Sequence, residues 1–222
     1  MQQFKNGLLG LAVGEAMGLP LINMSREKLL AKPVTEMTSG GELDVKKGTW
    51  GLTTEITLAI RETLLKHEGL KKTSFFKRLV EVDSGSYSID KTIFSLDIVT
   101  ERAIKNYKDG MDIDNCGLIN TEENSIGALI MMYPVAFFAY EKKLKEKDIY
   151  ILVKDIVELT HKHEINVIGC YIYTMYLIFL LRGKDKYASL SMLQCCDFSF
   201  FTEDNLQLYS RILKDSLKNI KV

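Results

Sequence analysis

The chain has 222 residues, 46% of them apolar, with 29 basic and 29 acidic side chains that leave no net charge. A chain this long forms one domain and buries about 70% of the surface its unfolded form exposes. The charge balance offers no overall attraction for nucleic acid through phosphate neutralisation, so no nucleic-acid partner is expected. The basic residues Lys142, Lys143 and Lys145 are interleaved with acids and read as a solvated helix face.

Prolines number only three and strand-like alternation is scarce, so the pattern predicts an all-α protein. Helices are expected over roughly 3–18, 53–68, 73–82, 87–107, 126–142, 146–162, 164–182, 186–195 and 203–219, with loops at 22–50 and 108–124. In the first helix Gly7, Gly10, Gly14 and Gly18 form one stripe that suits close helix approach. Ile56, Ala59, Ile60 and Leu64 give the next a buried face, as do Ile149, Leu152, Val153, Ile156 and Val157 further on. Ile165 to Leu181 carries no charge over 17 residues, the lower edge of a bilayer span. Asn166, Gly169 and Thr174 interrupt it, which favours a core helix over a membrane-associated one. Gly183 should end this helix, and Thr202 should cap the last one.

The four cysteines, Cys116, Cys170, Cys195 and Cys196, have no Cys-x-x-Cys spacing, and the three histidines do not complete a zinc set. Reduced thiols in a cytoplasmic protein are the expectation. Glu15 interrupts the apolar N-terminal run and no basic region precedes it, which argues against a secretory signal.

Four segments carry a family resemblance. Gly14-Glu-Ala-Met-Gly-Leu-Pro-Leu-Ile22 is similar to Gly-Asp-Ala-x-Gly-x-Pro-x-Glu. Gly48-Thr-Trp-Gly-Leu-Thr-Thr54 is similar to Gly-x-Trp-Thr-Asp-Asp-Thr. Ser125-Ile-Gly-Ala-Leu-Ile-Met-Met-Tyr-Pro134 is similar to Ser-Asn-Gly-Ala-Leu-Met-Arg-x-x-Pro, and Thr160-His-Lys-His163 to Thr-His-x-His. In this order they resemble the ADP-ribosylglycohydrolase family over about residues 4–181. The resemblance implies a single domain over 1–222 with a shortened form of that family's all-α orthogonal bundle. It also implies a reaction, cleavage of a glycosidic bond to ADP-ribose with two Mg²⁺ ions.

The residues point away from that reaction. Ile22 stands at the family's carboxylate, and Gly51, Leu52 and Thr53 replace Thr-Asp-Asp. Mg²⁺ needs hard oxygen ligands, and leucine offers none. Ile126 and Met131 replace an asparagine and an arginine, and no Asp-x-Asp-Thr motif follows His163. Glu55 reads as a first-turn acid that does not restore the metal site. His161 and His163, two apart, fall on different helix faces and read as structural.

The expectation is therefore a pseudoenzyme with no catalytic residue, no metal and no cofactor. It would bind a protein or an ADP-ribose-like ligand through a vestigial cleft built from Glu15, Ile22, Trp50, Leu52, Thr53, Thr54, Glu55, Ser125, Gly127, Thr160 and His161. Glu42, Asp44, Asp112 and Asp114 would give the cleft an acidic rim suited to a basic protein. The alternative is a hydrolase whose site is rebuilt from Glu15, Glu55 or Asp44.

Overall fold

The computed structural model describes residues 2–88 and 94–214. Among them there is no strand, and the all-α expectation holds. Helix α1 spans Gln2–Gly18, α2 Arg26–Ala31, α3 Leu52–His67, α4 Lys72–Asp83 and α5 Ile98–Lys108. Helices α6 (Gly127–Ile130), α7 (Met132–Glu141), α8 (Glu146–Val157) and α9 (Glu164–Leu181) follow. Helices α10 (Lys186–Leu193), α11 (Glu203–Gln207) and α12 (Ser210–Leu213) complete the described chain.

The apolar helix α9 is central. By length and composition it could cross a bilayer, with mean hydropathy 1.6. It packs against α6, α7, α8, α10 and α11, and Ile168, Tyr171, Met175 and Ile178 are buried. Its reverse face turns on Gly183 at φ 80°, where the left-handed conformation suits glycine. Helix α7 bridges α9 to α3, and α3 carries α1 and α4 on its other sides. The stripes foreseen on α3 and α8 face this core: Ile56, Ala59, Ile60, Leu64, Ile149, Val153, Ile156 and Val157 are all buried.

Several boundaries differ from the sequence expectation. The helix expected at 87–107 begins only at Ile98, because Asp97 caps it by accepting from the Val99 and Thr100 amides; residues 89–93 of that expectation lie outside the described residues. The one expected at 126–142 breaks at Met131, three residues before Pro134, which has no N–H to donate to the Ile130 carbonyl. The one at 146–162 stops at Val157, so that Thr160 and Lys162 can bond Leu118 across a short bridge. The last splits into α11 and α12, and 215–219 lie outside the described residues. Thr202 occupies the cap position of α11 without capping it, its hydroxyl bonding Glu164. The loop 22–50 contains α2.

The glycine stripe of α1 is mostly open. A Cβ at Gly7 would lie 2.1 Å from the Tyr133 hydroxyl, whereas Gly10, Gly14 and Gly18 have nothing within 4 Å. The Phe-rich run near the C-terminus closes one end of the core. Tyr150 stacks on Phe200 at 4.6 Å, and Tyr171 meets Phe198 and Phe201.

Candidate functional site

The first motif pair meets at the N-terminus of α3. The cap residue there is Gly51, which has no side chain to bond the first amides. Glu15, reaching across from α1, takes that role. Its carboxylate accepts from the Gly51 amide (3.1 Å), the Thr53 amide (2.8 Å), the Thr54 amide (2.9 Å) and the Thr54 hydroxyl (2.7 Å). The Thr53 and Thr54 amides are those a local Ser or Asp cap would bond, and an anion at this end also meets the positive pole of the helix. Gly51 has to be small, since a Cβ would lie 3.2 Å from a Glu15 oxygen.

Leu52 and Thr53, at the first helical positions, are half-buried, and Thr54 is buried. Glu55 is only 1% exposed, and its Oε1 has no hydrogen-bond partner among the described residues. Burial first, and the negative charge of Glu15 second, raise its pKa from 4.5 to about 7. Trp50 is half-buried with its indole nitrogen unpartnered, and Ile22 is 40% exposed beyond the turn that ends α1. That turn is held by Gly41, whose φ is 75° and whose Cβ would fall 2.4 Å from the Pro20 carbonyl. Asp44 sits in the same exposed loop at φ 45°, its amide bonded to the Gly41 carbonyl.

The second motif pair meets around Asp97, a residue the sequence did not single out. Ser125 donates to Asp97 (2.7 Å) and lies 2.7 Å from Nε2 of His161, while Nδ1 of His161 lies 2.8 Å from the Thr160 hydroxyl. The Thr100 hydroxyl also donates to Asp97. One neutral arrangement satisfies every partner: Thr160 donates to Nδ1, Nε2–H donates to Ser125, and Ser125 donates to Asp97. Burial works against the Asp97 charge, but hydrogen bonds from His161, Thr100 and Ser125 outweigh it and hold the carboxyl well below the usual range. Gly127 is forced by the same group, since a Cβ there would lie 2.0 Å from Asp97 Oδ2.

This trio contains serine, histidine and aspartate but is wired against nucleophilic catalysis. An activated serine gives its proton to a histidine nitrogen that an aspartate orients from behind. Here the aspartate takes the serine proton, and threonine stands behind the histidine. Thr160 and His161, which the sequence reading included in the cleft, are both 0% exposed, and His161 is hydrogen-bonded on both ring nitrogens. His163 bonds the Ile165 amide as the cap of α9 and shares no ligand with His161.

Helix α6, which follows Ser125, packs on α3, which follows Gly51. Beside Ser125, an apolar hollow of about 830 Å³ opens between α6, α9, α10 and α12. Asn124, Ser125 and Asn166 mark its polar end and Tyr173, Tyr187 and Tyr209 its walls. The acids expected at a rim are engaged locally. Asp114 pairs with Lys72, Asp112 caps its own turn, and Glu42 accepts from Asn23.

Comparison with known proteins agrees with these motifs. The ADP-ribosylglycohydrolase family model matches residues 1–217. The chain belongs to the ADP-ribosylglycohydrolase family. It is 25% identical over 198 residues to the ADP-ribosylarginine hydrolase Tri1 of Serratia proteamaculans, and 24% identical over 193 residues to that of Pseudomonas putida. Each match covers 86% of this chain and 50% of the relative, so the chain spans half the length of these curated relatives. A solved structure described as an ADP-ribosylglycohydrolase-related protein complex superposes with a TM-score of 0.66 at 25% identity, covering 84% of this chain and 59% of that one.

The family resemblance implies a magnesium pair, and the donor set here does not fit one. Leu52 has no donor atom and Thr53 only a neutral hydroxyl. Glu15 is bonded four times to the start of α3, and Glu55 is buried. No group of three His, Cys, Asp or Glu side chains placed to hold a metal occurs among the described residues.

Proposed function

We propose that this chain is a non-hydrolysing member of its family that works by binding. The observation that carries this reading is the commitment of Glu15. The acid at the first motif accepts four hydrogen bonds from the start of α3, three at Oε2 and one at Oε1, so its carboxylate is held as the cap of that helix and is not directed at a substrate bond. Glu55 lies inside the protein, and Asp44 lies on an exposed turn, so neither supplies the two-sided acid and base that glycosidic cleavage uses. The Asp97–Ser125–His161 chain ties α5, α6 and the start of α9 together and activates nothing.

The binding surface is the hollow beside Ser125. Its volume suits a nucleotide-sized ligand, and its tyrosines suit a flat ring, with Lys186 at the edge for an anionic group. An ADP-ribosyl group, free or attached to a protein, has this chemistry. Two measurements test the reading. Protein ADP-ribosylated on arginine should release no ADP-ribose above a buffer control with Mg²⁺ present. Titration calorimetry should detect ADP-ribose binding that Tyr187→Ala weakens. Turnover that Glu15→Gln or Glu55→Gln abolishes would overturn it.

A further inference from the structure

A second hollow lies at the far end of α3 from the motif residues. Thr53 and Lys66 are 13 residues apart on this helix, about 20 Å at 1.5 Å per residue. The hollow has a volume of about 490 Å³ and is built where the last turn of α3 meets α4 and the end of α5. Lys66 and His67 come from α3, Lys71 and Lys77 from the start and middle of α4, and Lys108 from the last turn of α5. Thr73 and Ser74 place two hydroxyls among them, and Tyr107 forms part of the wall.

Lysines from three helices and their flanks line one hollow, and most of them lack an ion-pair partner among the described residues. No carboxylate lines the hollow among the described residues. Lys108 is paired with Asp83 at 2.8 Å, whereas Lys66, Lys71 and Lys77 have no carboxylate within ion-pair distance among the described residues. The positive field is felt locally: partial burial, then the charges of Lys71 and Lys66, hold His67 below its ordinary pKa. Lys66, Lys71 and Lys77 are exposed, so water screens their mutual repulsion, and an anion entering the hollow would meet positive charge from three sides. In a chain with no net charge, such a concentration is a property of this place and not of composition.

The wall residue narrows the ligand further. Tyr107 stacks on buried Phe76 with centroids 4.6 Å apart and planes 10° from parallel, so its ring is held rigid while it lines the hollow. A fixed aromatic ring beside lysines and hydroxyls is complementary to a planar base joined to a chain of phosphoryl groups. The volume lies within the range of small-ligand sites.

We infer that the hollow between the end of α3, α4 and the end of α5 binds a nucleotide carrying two or more phosphoryl groups, with Lys66, Lys71 and Lys77 on the phosphates and Tyr107 against the base. This site is separate from the hollow beside Ser125, and nothing in it depends on the binding role proposed there.

The test is titration calorimetry on the full chain at low salt with three probes: ATP, inorganic tripolyphosphate and adenosine. ATP should bind most tightly, tripolyphosphate more weakly, and adenosine not at all. The pair Lys71→Glu and Lys77→Glu should weaken ATP about tenfold or more, because it reverses two of the charges. Lys145→Glu with Lys147→Glu makes the same change in net charge on exposed α8 residues and should shift ATP affinity less than about twofold. Tyr107→Leu should weaken ATP and leave tripolyphosphate unchanged. Circular dichroism establishes that each variant is folded. An equal loss in both charge-reversed pairs would overturn the site, as would ATP binding that the 71/77 pair leaves intact or the absence of heat with either phosphate.

Discussion

Removal of Glu15 should cost stability and nothing else. Glu15→Ala deletes an acceptor of four hydrogen bonds and leaves the amides of Gly51, Thr53 and Thr54 without a cap at a partly buried helix end. Loss of a single cap costs about 0.5–2 kcal/mol, and bonds to a charged acceptor about 1.5–3 kcal/mol each before compensation by water. Because this end of α3 is half-buried and water can reach part of it, about 2–4 kcal/mol in total is expected. For a chain of this length that lowers the melting temperature by roughly 5–15 °C. The same charge presses on Glu55, so removing it relieves a repulsion that exists only when Glu55 is ionised. The cost of Glu15→Ala should therefore be larger at pH 6 than at pH 8. Urea denaturation of both proteins at the two pH values measures this directly. A cost under about 0.5 kcal/mol, or one larger at pH 8, refutes the capping role and returns Glu15 to the candidates for chemistry.

The other expectations concern the neighbouring groups. Glu55 has its pKa raised, so its contribution to stability is present below about 4.5 and is lost as pH rises through about 7. Glu55→Gln should be more stable than the parent at pH 8, by at most about 3 kcal/mol, with the gap closing toward pH 5; a parent more stable at pH 8 contradicts this. Asp97 has its pKa depressed, so its contribution holds above about pH 4 and fades as pH falls further. Asp97→Asn should lower stability by about 2–4 kcal/mol at pH 7, and an unchanged urea midpoint there would count against it. Calorimetric titration with Mg²⁺ or Mn²⁺ should show nothing tighter than about millimolar, and two ions held near residues 15 and 51–55 would reverse the reading. Ile172→Ala, at a site 6% exposed on α9, should cost about 2–5 kcal/mol, which thermal melts in detergent-free buffer can verify.

The elements that periodicity made legible are those whose burial is decided locally. The stripes of α3 and α8 face the core because a helix with that spacing has only one apolar side to hide. The α1 glycines form an equally regular stripe, yet three of the four face open space: spacing places residues on one side and cannot say what lies opposite. The interruption after Val157 and the division of the last helix were invisible for a related reason. Each is set by a contact with a distant segment, Leu118 in one case and, through the Tyr209 hydroxyl, the Ile165 carbonyl in the other. Asp97 was missed because it sits in no motif. Its partners Ser125 and His161 were both named, and an acid followed by Thr100 three residues on was the available sign of a cap.

The two clusters together explain why family motifs persist where family ligands do not. In each, the retained residues form a closed polar circuit: Glu15 with the end of α3, and Asp97 with Ser125, His161 and Thr160. Every member of these circuits that is buried would leave a partner unsatisfied if it changed alone, at about 1–3 kcal/mol per orphaned group. Among the positions that differ, the side chains of Ile22, Leu52, Thr53 and Met131 lie outside both circuits, while Gly51 and Thr53 join the first only through their backbone amides. Ile22 is exposed, Leu52 and Thr53 are half-buried at the first turn, and Met131 is packed in the core. A leucine at position 52 takes apolar contacts with the core that a carboxylate could not make without a cation. Glu15 already supplies the negative charge that the positive end of α3 attracts, so a second acid beside it would meet the repulsion that already raises Glu55. Thus the same stability terms that hold the motif residues in place favour uncharged side chains at 52 and 53 once no metal is bound. Leu52→Asp alone should accordingly destabilise the fold without creating a magnesium site. Added Mg²⁺ that restores its melting temperature would show that the cluster can still hold the ion.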